Sequence, residues 1–440
     1  MITKLNLRVL AVIMAIAIVG LGSTRAAAEE KPAYVKAPLK LNTALVVPDS
    51  KMVGRGYKID PEAVNDGFSN TYTLKTEVGD VQAVSDYQLA RQIQEINALI
   101  ILDEMSKAGV FGDAMKEGLV APIRGGKALV TAPVETTKGA VKGVGRWVGN
   151  IGRSIGSDDP YQEGGVSAAT GWANTKRAFA LELGVDPYTD WEPLQQALTA
   201  VARAAFAGGI TVGVAMGAVT EGTTVGTVIT VLSLTDEMNA ILLDNPPEGL
   251  TKINREKLEK MGISKKTIDP FLKNYNYTPM EKTMLVEALN QMKDTKGRDL
   301  FISQATAAPD KIIARYYHQM SEMMLNYQKK HGAADIVQVQ GEVWLLTRKG
   351  VLVGAFPIDY LAWTAETAKI AGEIEQNPQA QNRELWLEGS ASPECNKALT
   401  ARGWKIKERV ALLTGKPLQD VTAAGAGLGA TATTIQVIAK

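Results

Sequence analysis

The chain has one cysteine, Cys395, and only two histidines, His318 and His331, among 440 residues. An intramolecular disulfide is therefore excluded, and neither a Cys/His zinc quartet nor an HExxH metalloprotease helix can be assembled. EF-hand spacing is missing as well, which leaves only a carboxylate-only calcium or magnesium site open, and the expectation is no metal centre and no cofactor. Charge of one sign is also lacking. With 48 Lys and Arg against 47 Asp and Glu, no global field draws the protein to nucleic acid, and any electrostatic preference has to be local. No repeat of fixed period is visible.

The N-terminus is informative. Lys4 and Arg8 precede an uncharged apolar run from Val9 to Leu21, and Ala26, Ala27 and Ala28 stand before Glu29. That order reads as a cleavable signal peptide. A retained anchor is the rival, but the run falls short of the roughly 20 residues that span a bilayer. Cys395 is far from this site, so no cysteine is placed to carry lipid at a new N-terminus.

Periodicity and punctuation divide the chain into a signal peptide (1–28), an N-terminal segment ending in a helix (29–108), a glycine-rich basic segment (109–160) and a helical region containing an apolar, glycine-spaced stretch (161–250). A helical subdomain (251–332), a small α+β unit (333–415) and a Gly/Ala-rich tail (416–440) follow. The fold class expected is α+β, predominantly α-helical, with the small α+β unit at the C-terminus and the glycine-rich region in the centre. Residues 29–80 read as an extended or weakly ordered lead-in with one β-prone stretch, Thr71 to Val78. From Asp86 to about Lys107, Leu89, Ile93, Ile96, Leu99, Ile100 and Met105 recur at helical steps before Gly109. Further helices are expected over Ala168 to Leu183, after Asp190, where Thr189 and Glu192 have capping-box spacing, and from Pro309 to about Tyr327. Thr278, Pro279 and Glu281 supply N-cap, N1 proline and N3 glutamate for another. Residues 336–356 switch to β character and 358–375 back to helix. Strands at 385–387 and 404–410 flank a short helix that starts at Ser392.

Catalytic signatures are few. Gly152-Arg153-Ser154-Ile155-Gly156 matches GxSxG, but a glycine-rich stretch precedes it and a turn sequence follows, where a nucleophile elbow needs a strand and then a helix. Ser154 is thus a weak nucleophile candidate, with a glycine-rich loop as the alternative. Acidic pairs such as Asp158/Asp159 and Glu373/Glu375 read as solvated surface, and His318 as a packed or surface residue.

Glycine spacing is the strongest pattern. Ala205, Gly209, Gly213 and Gly217 fall every four residues in a run without charge between Arg203 and Glu221. On one helix they would form a smooth stripe against which another backbone can pack closely. Three readings remain open for 200–235: a buried Gly/Ala-rich hairpin, contact with a membrane, or a β-hairpin. From Lys107 to Arg153, eight Lys or Arg face three acidic residues. Lys138, Lys142, Arg146, Trp147 and Arg153 suit an interfacial segment on anionic lipid, although a solvated linker fits equally well.

The expected function is that of an exported, non-enzymatic envelope protein, in the periplasm or associated with a membrane. It would associate with a membrane surface or an envelope protein partner through its glycine-rich apolar segments, and not with nucleic acid. The alternative is a soluble periplasmic hydrolase that uses serine or carboxylates.

Overall fold

In a computed structural model, which describes residues 34–112, 159–161, 163, 171–220, 234–378 and 382–410, the stretch expected to be a weakly ordered lead-in is a sheet. Strands β1 (Leu39–Asn42), β2 (Val53–Gly54), β3 (Tyr57–Ile59), β4 (Glu62–Asn65), β5 (Asn70–Thr76) and β6 (Gly79–Val84) pair antiparallel. β5 is the spine. β4 and then β3 share one of its edges, and β6 covers the other. Only β5, the stretch with β propensity, was legible in advance, because two to four residues of alternation, as in β1 to β4, leave no readable period.

Helix α1 (Asp86–Lys107) lies on this sheet. Its N-cap Ser85 accepts from Gln88 N, and Leu89, Ile93 and Ile96 pack on Tyr57, Ile59, Tyr72 and Leu74. Farther along, Leu99, Leu102 and Met105 enter a second core with Phe179 and Leu183 from around α2 (Trp172–Glu182), and Leu194, Leu198 and Val201 of α3 (Glu192–Gly208). A short helix, α4 (Val212–Thr220), adds Ala215 to this core. Every residue of α1 from Leu89 to Ile96 is buried, including Arg91, Gln92, Gln94 and Glu95.

Six further helices follow: α5 (Asp236–Asp244), α6 (Pro247–Lys260), α7 (Lys265–Leu272), α8 (Pro279–Gln291), α9 (Arg298–Thr306) and α10 (Lys311–His331). The anticipated capping box opens α8, with Thr278 and Glu281 exchanging both bonds. At α3 the corresponding pair does not cap. Thr189 Oγ1 accepts from Trp191 N and donates to Glu95 Oε1, so its hydroxyl serves a buried carboxylate instead.

The C-terminal sheet runs β13-β11-β9-β8-β7, from β7 (Ala334–Val339), β8 (Glu342–Thr347), β9 (Val351–Phe356), β11 (Asn382–Leu387) and β13 (Trp404–Lys407). β9, β11 and β13 are parallel, and their crossovers carry α11 (Ala365–Glu375) and α12 (Pro393–Ala401). Parallel neighbours require such long connections. The helix expected over 358–375 starts only at Ala365, where Thr364 caps it. Before that, β10 (Tyr360–Leu361) pairs with β12 (Ser390–Ala391), and the amides of Asp359 and Tyr360 donate to Phe68 O. One hydrophobic core joins α7 to α10 with the five-stranded sheet, from Phe271 and Phe301 through Met320 and Met324 to Trp344, Leu385 and Trp404. The architecture is thus an α+β mix.

Candidate functional site

Two features stand out, an apolar tip at the end of α3 and a polar interior at the root of α1. α3 buries Leu194, Leu198, Val201 and Ala205 and stops where Gly209 takes a left-handed conformation, φ +62°, that closes the helix without a Cβ clash. Ile210 N returns to Ala205 O, and α4 then starts at Val212. The four small residues therefore do not share one helix, which corrects that part of the expectation. Ala205 is in the core, Gly209 is the cap, and Gly213 and Gly217 are exposed on α4 with open space where a Cβ would stand.

What the tip does expose is apolar. Val214 is 65% exposed and Phe206 is 50% exposed, in a stretch with no charged residue between Arg203 and Glu221. Arg203 sits at the base, its guanidinium 4.8 Å above the Trp172 ring, and is itself exposed. A helix without a polar face is ordinarily buried. Between Val212 and Gly217, α4 buries only Ala215. The candidate interfacial residues Lys138, Lys142, Arg146, Trp147 and Arg153, and the candidate nucleophile Ser154, lie outside the described residues.

The polar interior was missed in the sequence. Arg91 Nη1 donates to Glu281 Oε1 at 2.8 Å, while Nη2 faces Glu95 at 3.5 Å and Asp186 at 3.9 Å. Arg315 donates to the same Glu281 oxygen at 3.2 Å and to Asp190 Oδ1 at 3.1 Å, and Lys311 takes Asp190 Oδ2 at 2.8 Å. Three cations thus face four carboxylates. Thr189 and Thr278 donate to Glu95 and Asp186 at 2.5 and 2.6 Å. Burial opposes ionisation of Asp190, but Arg315 and Lys311 prevail and hold it below the ordinary carboxylate range. Glu281 is held low in the same way, by Arg315 and Arg91 against burial. For Glu95 and Asp186 burial wins, and both are pushed up despite Arg91.

A second acidic group lies at the N-terminus of α1. Asp359 Oδ1 accepts from Asp86 N at 2.9 Å, and its Oδ2 accepts from Asn70 N at 2.8 Å. Asp86 Oδ1 accepts from Tyr72 OH at 2.5 Å and Asn70 Nδ2 at 3.1 Å. Glu388 completes the group, its Oε2 buried without a hydrogen-bond partner. Its neighbour Gly389 is a steric necessity: a Cβ there would stand 1.8 Å from Asp359 O. Burial, with Asp86 and Glu322 nearby, pushes Glu388 up to about 8. Burial with Asp86 and Glu388 raises Asp359, and burial raises Asp86.

One sequence signal for these groups existed, namely charge on an otherwise apolar helix face. Arg91 and Glu95 are four apart between Leu89, Ile93 and Ile96, and Lys311/Arg315 and His318/Glu322 repeat that step on α10. His318 is buried, as a packed histidine should be, with Nε2 3.1 Å from Glu322 Oε1. Among the described residues, no group of three or more His, Cys, Asp or Glu is arranged to hold a metal ion, and no helix is long and apolar enough to cross a membrane. No protein-family model matches the chain, and neither a curated protein nor a solved structure is significantly similar to it.

Proposed function

We propose that the protein is exported and acts in the cell envelope as a non-enzymatic component that attaches to an anionic lipid surface through the tip formed by the end of α3 and by α4. The observation that carries this reading is the uncharged tip with Phe206 and Val214 exposed above Arg203. Apolar side chains rimmed by basic ones are what an interfacial segment uses, the first entering the acyl boundary and the second facing phosphate. The basic segment 109–160, with Lys138, Lys142, Arg146, Trp147 and Arg153, would add to the same attraction. The competing hydrolase reading needs a reactive serine or carboxylate, and only its carboxylate form falls on described residues. It is weakened because Asp190 and Glu281 are engaged in ion pairs and both oxygens of Asp359 accept backbone amides.

Flotation with phosphatidylglycerol-containing vesicles tests the proposal. Phe206→Asp and Val214→Asp should each lower bound protein severalfold, with an unchanged melting temperature, since both side chains are exposed. Gly213→Leu separates lipid from a closely packed partner helix. On lipid the added side chain keeps or strengthens binding, whereas against a partner helix it overpacks and costs about 1 to 3 kcal/mol. Wild-type binding to vesicles that neither aspartate variant disturbs would overturn the assignment of the tip.

A further inference from the structure

The acidic group at the root of α1 sits where the N-terminal sheet and α1 meet the segment around β10. Phe68 O and Gly67 O accept from the amides of Asp359, Tyr360 and Ala362, Val35 N donates to Trp363 O, and Asn65 Nδ2 reaches Tyr360 O. Within this seam one side chain, that of Asp359, binds the amide of Asn70 on β5 and the first amide of α1. Ser85, between them, is held at φ +93°, a strained conformation for a residue with a side chain.

We propose that this seam is a proton-operated clasp: Asp86, Asp359 and Glu388 hold the N-terminal sheet and α1 against the C-terminal unit while Glu388 is protonated, and its ionisation loosens them. The geometry leads to this conclusion. Three carboxyl groups from three segments are buried together, and Glu388 Oε2 has no donor to stabilise a negative charge. Among the described residues, no Lys, Arg or His stands within ion-pair distance of Asp86, Asp359 or Glu388. From β5 comes Tyr72, whose hydroxyl donates to Asp86, and from α10 comes Glu322, beside His318. From the segment after β13 come Glu408, whose carboxylate accepts from Ala391 N and Asn396 Nδ2, and Arg409, whose side chain is exposed and whose amide donates to Gly389 O. Neutral Glu388 is tolerated in such a place. An anion there would face the negative charge of Asp86 and of Glu322 without a donor to its Oε2.

The sign follows from where Glu388 binds its proton. The folded form keeps it up to about pH 8, while an unfolded chain releases it in the ordinary carboxylate range. Stability is therefore complete below that range and is lost as pH rises through it to about 8, after which the dependence on this group levels off. One proton of difference changes the closed-to-open ratio by roughly tenfold per pH unit inside the window.

The test uses the full chain. Hydrogen exchange of the Asn70 and Asp86 amides is followed from pH 5 to pH 9, corrected for intrinsic rates, in wild type and Glu388→Gln. The expected result is protection that falls by up to roughly tenfold per pH unit in wild type and markedly less steeply in the variant, because glutamine mimics the protonated acid and cannot ionise, while Asp86 and Asp359, also raised by burial, keep a smaller dependence of their own. The same pH slope in both proteins would overturn the clasp. Infrared spectra of wild type in D2O at neutral pH provide a second reading that does not depend on the variant folding. A carboxylic-acid carbonyl band that disappears above about pH 8 supports the proposal, and its absence at neutral pH overturns it.

Discussion

Arg91 faces three carboxylates from inside the protein, so removing it strands Glu95 and Asp186 and leaves Glu281 to Arg315 alone. Unpairing buried charge is expensive. Arg91→Met should cost about 3 to 5 kcal/mol, measured by the shift in urea midpoint. Lys40, paired with Glu62 on the surface, supplies the control: Lys40→Met should change stability by less than about 1 kcal/mol. Equal shifts for the two variants would mean that the interior pairs are no more than surface pairs. Residues of this cluster also pull in opposite directions with pH. Asp190, held low by Arg315 and Lys311 against burial, contributes stability that is present above the ordinary carboxylate range and lost as pH falls through its lower folded value. Glu95 and Asp186, raised by burial, have the reverse dependence.

Thr278 shows how one element is held twice. Its hydroxyl accepts from Glu281 N at 3.1 Å and donates to Asp186 Oδ2 at 2.6 Å, so the cap of α8 is also a ligand of the ionic cluster. Loss of an N-cap ordinarily costs about 0.5 to 2 kcal/mol, and Thr278→Ala belongs at the upper end because it also deprives a buried carboxylate of its donor. Thr278→Ser should restore most of the loss in a thermal melt. An alanine variant as stable as wild type would show that neither bond contributes. The cap was legible because N-cap, proline and glutamate stand in one tetrapeptide. Thr189 had the same spacing to Glu192 and took another role, since Glu95 of a distant helix competes for its hydroxyl.

Across the whole molecule, the described residues are joined from the N-terminal sheet to the C-terminal one. β5 and α1 meet the segment before β10 at Asp359, and the helices from α7 to α10 share their core with the C-terminal sheet. The first 28 residues belong to no described element. The proposed export makes a direct prediction for them. Intact mass of protein recovered from outside the cytoplasm should correspond to a chain that starts at Glu29 or within a few residues of it. A recovered chain that still begins at Met1 would overturn cleavage and favour a retained anchor.

Helices with a long apolar period and a recognisable cap were readable from residues alone. α1, α8 and α10 stand near their expected positions because those signals act over neighbours three and four apart. The α+β character followed from the change of period near residue 336. The short strands β1 to β4 needed partners from elsewhere in the chain to become strands at all, so no local pattern announced them. The glycine-spaced run shows the same limit from the other side. Its four-residue step suits one helix, but Gly209 took the left-handed cap and turned the stripe into a bend. Both polar groups were likewise settled by the tertiary structure, since a charge on an apolar face suggests burial but not its partner. Glu281 lies 190 residues from Arg91, and Asp359 lies 289 residues from Asn70. Only the packed fold brings such groups within hydrogen-bond reach, and its exclusion of water is what moves their proton affinities.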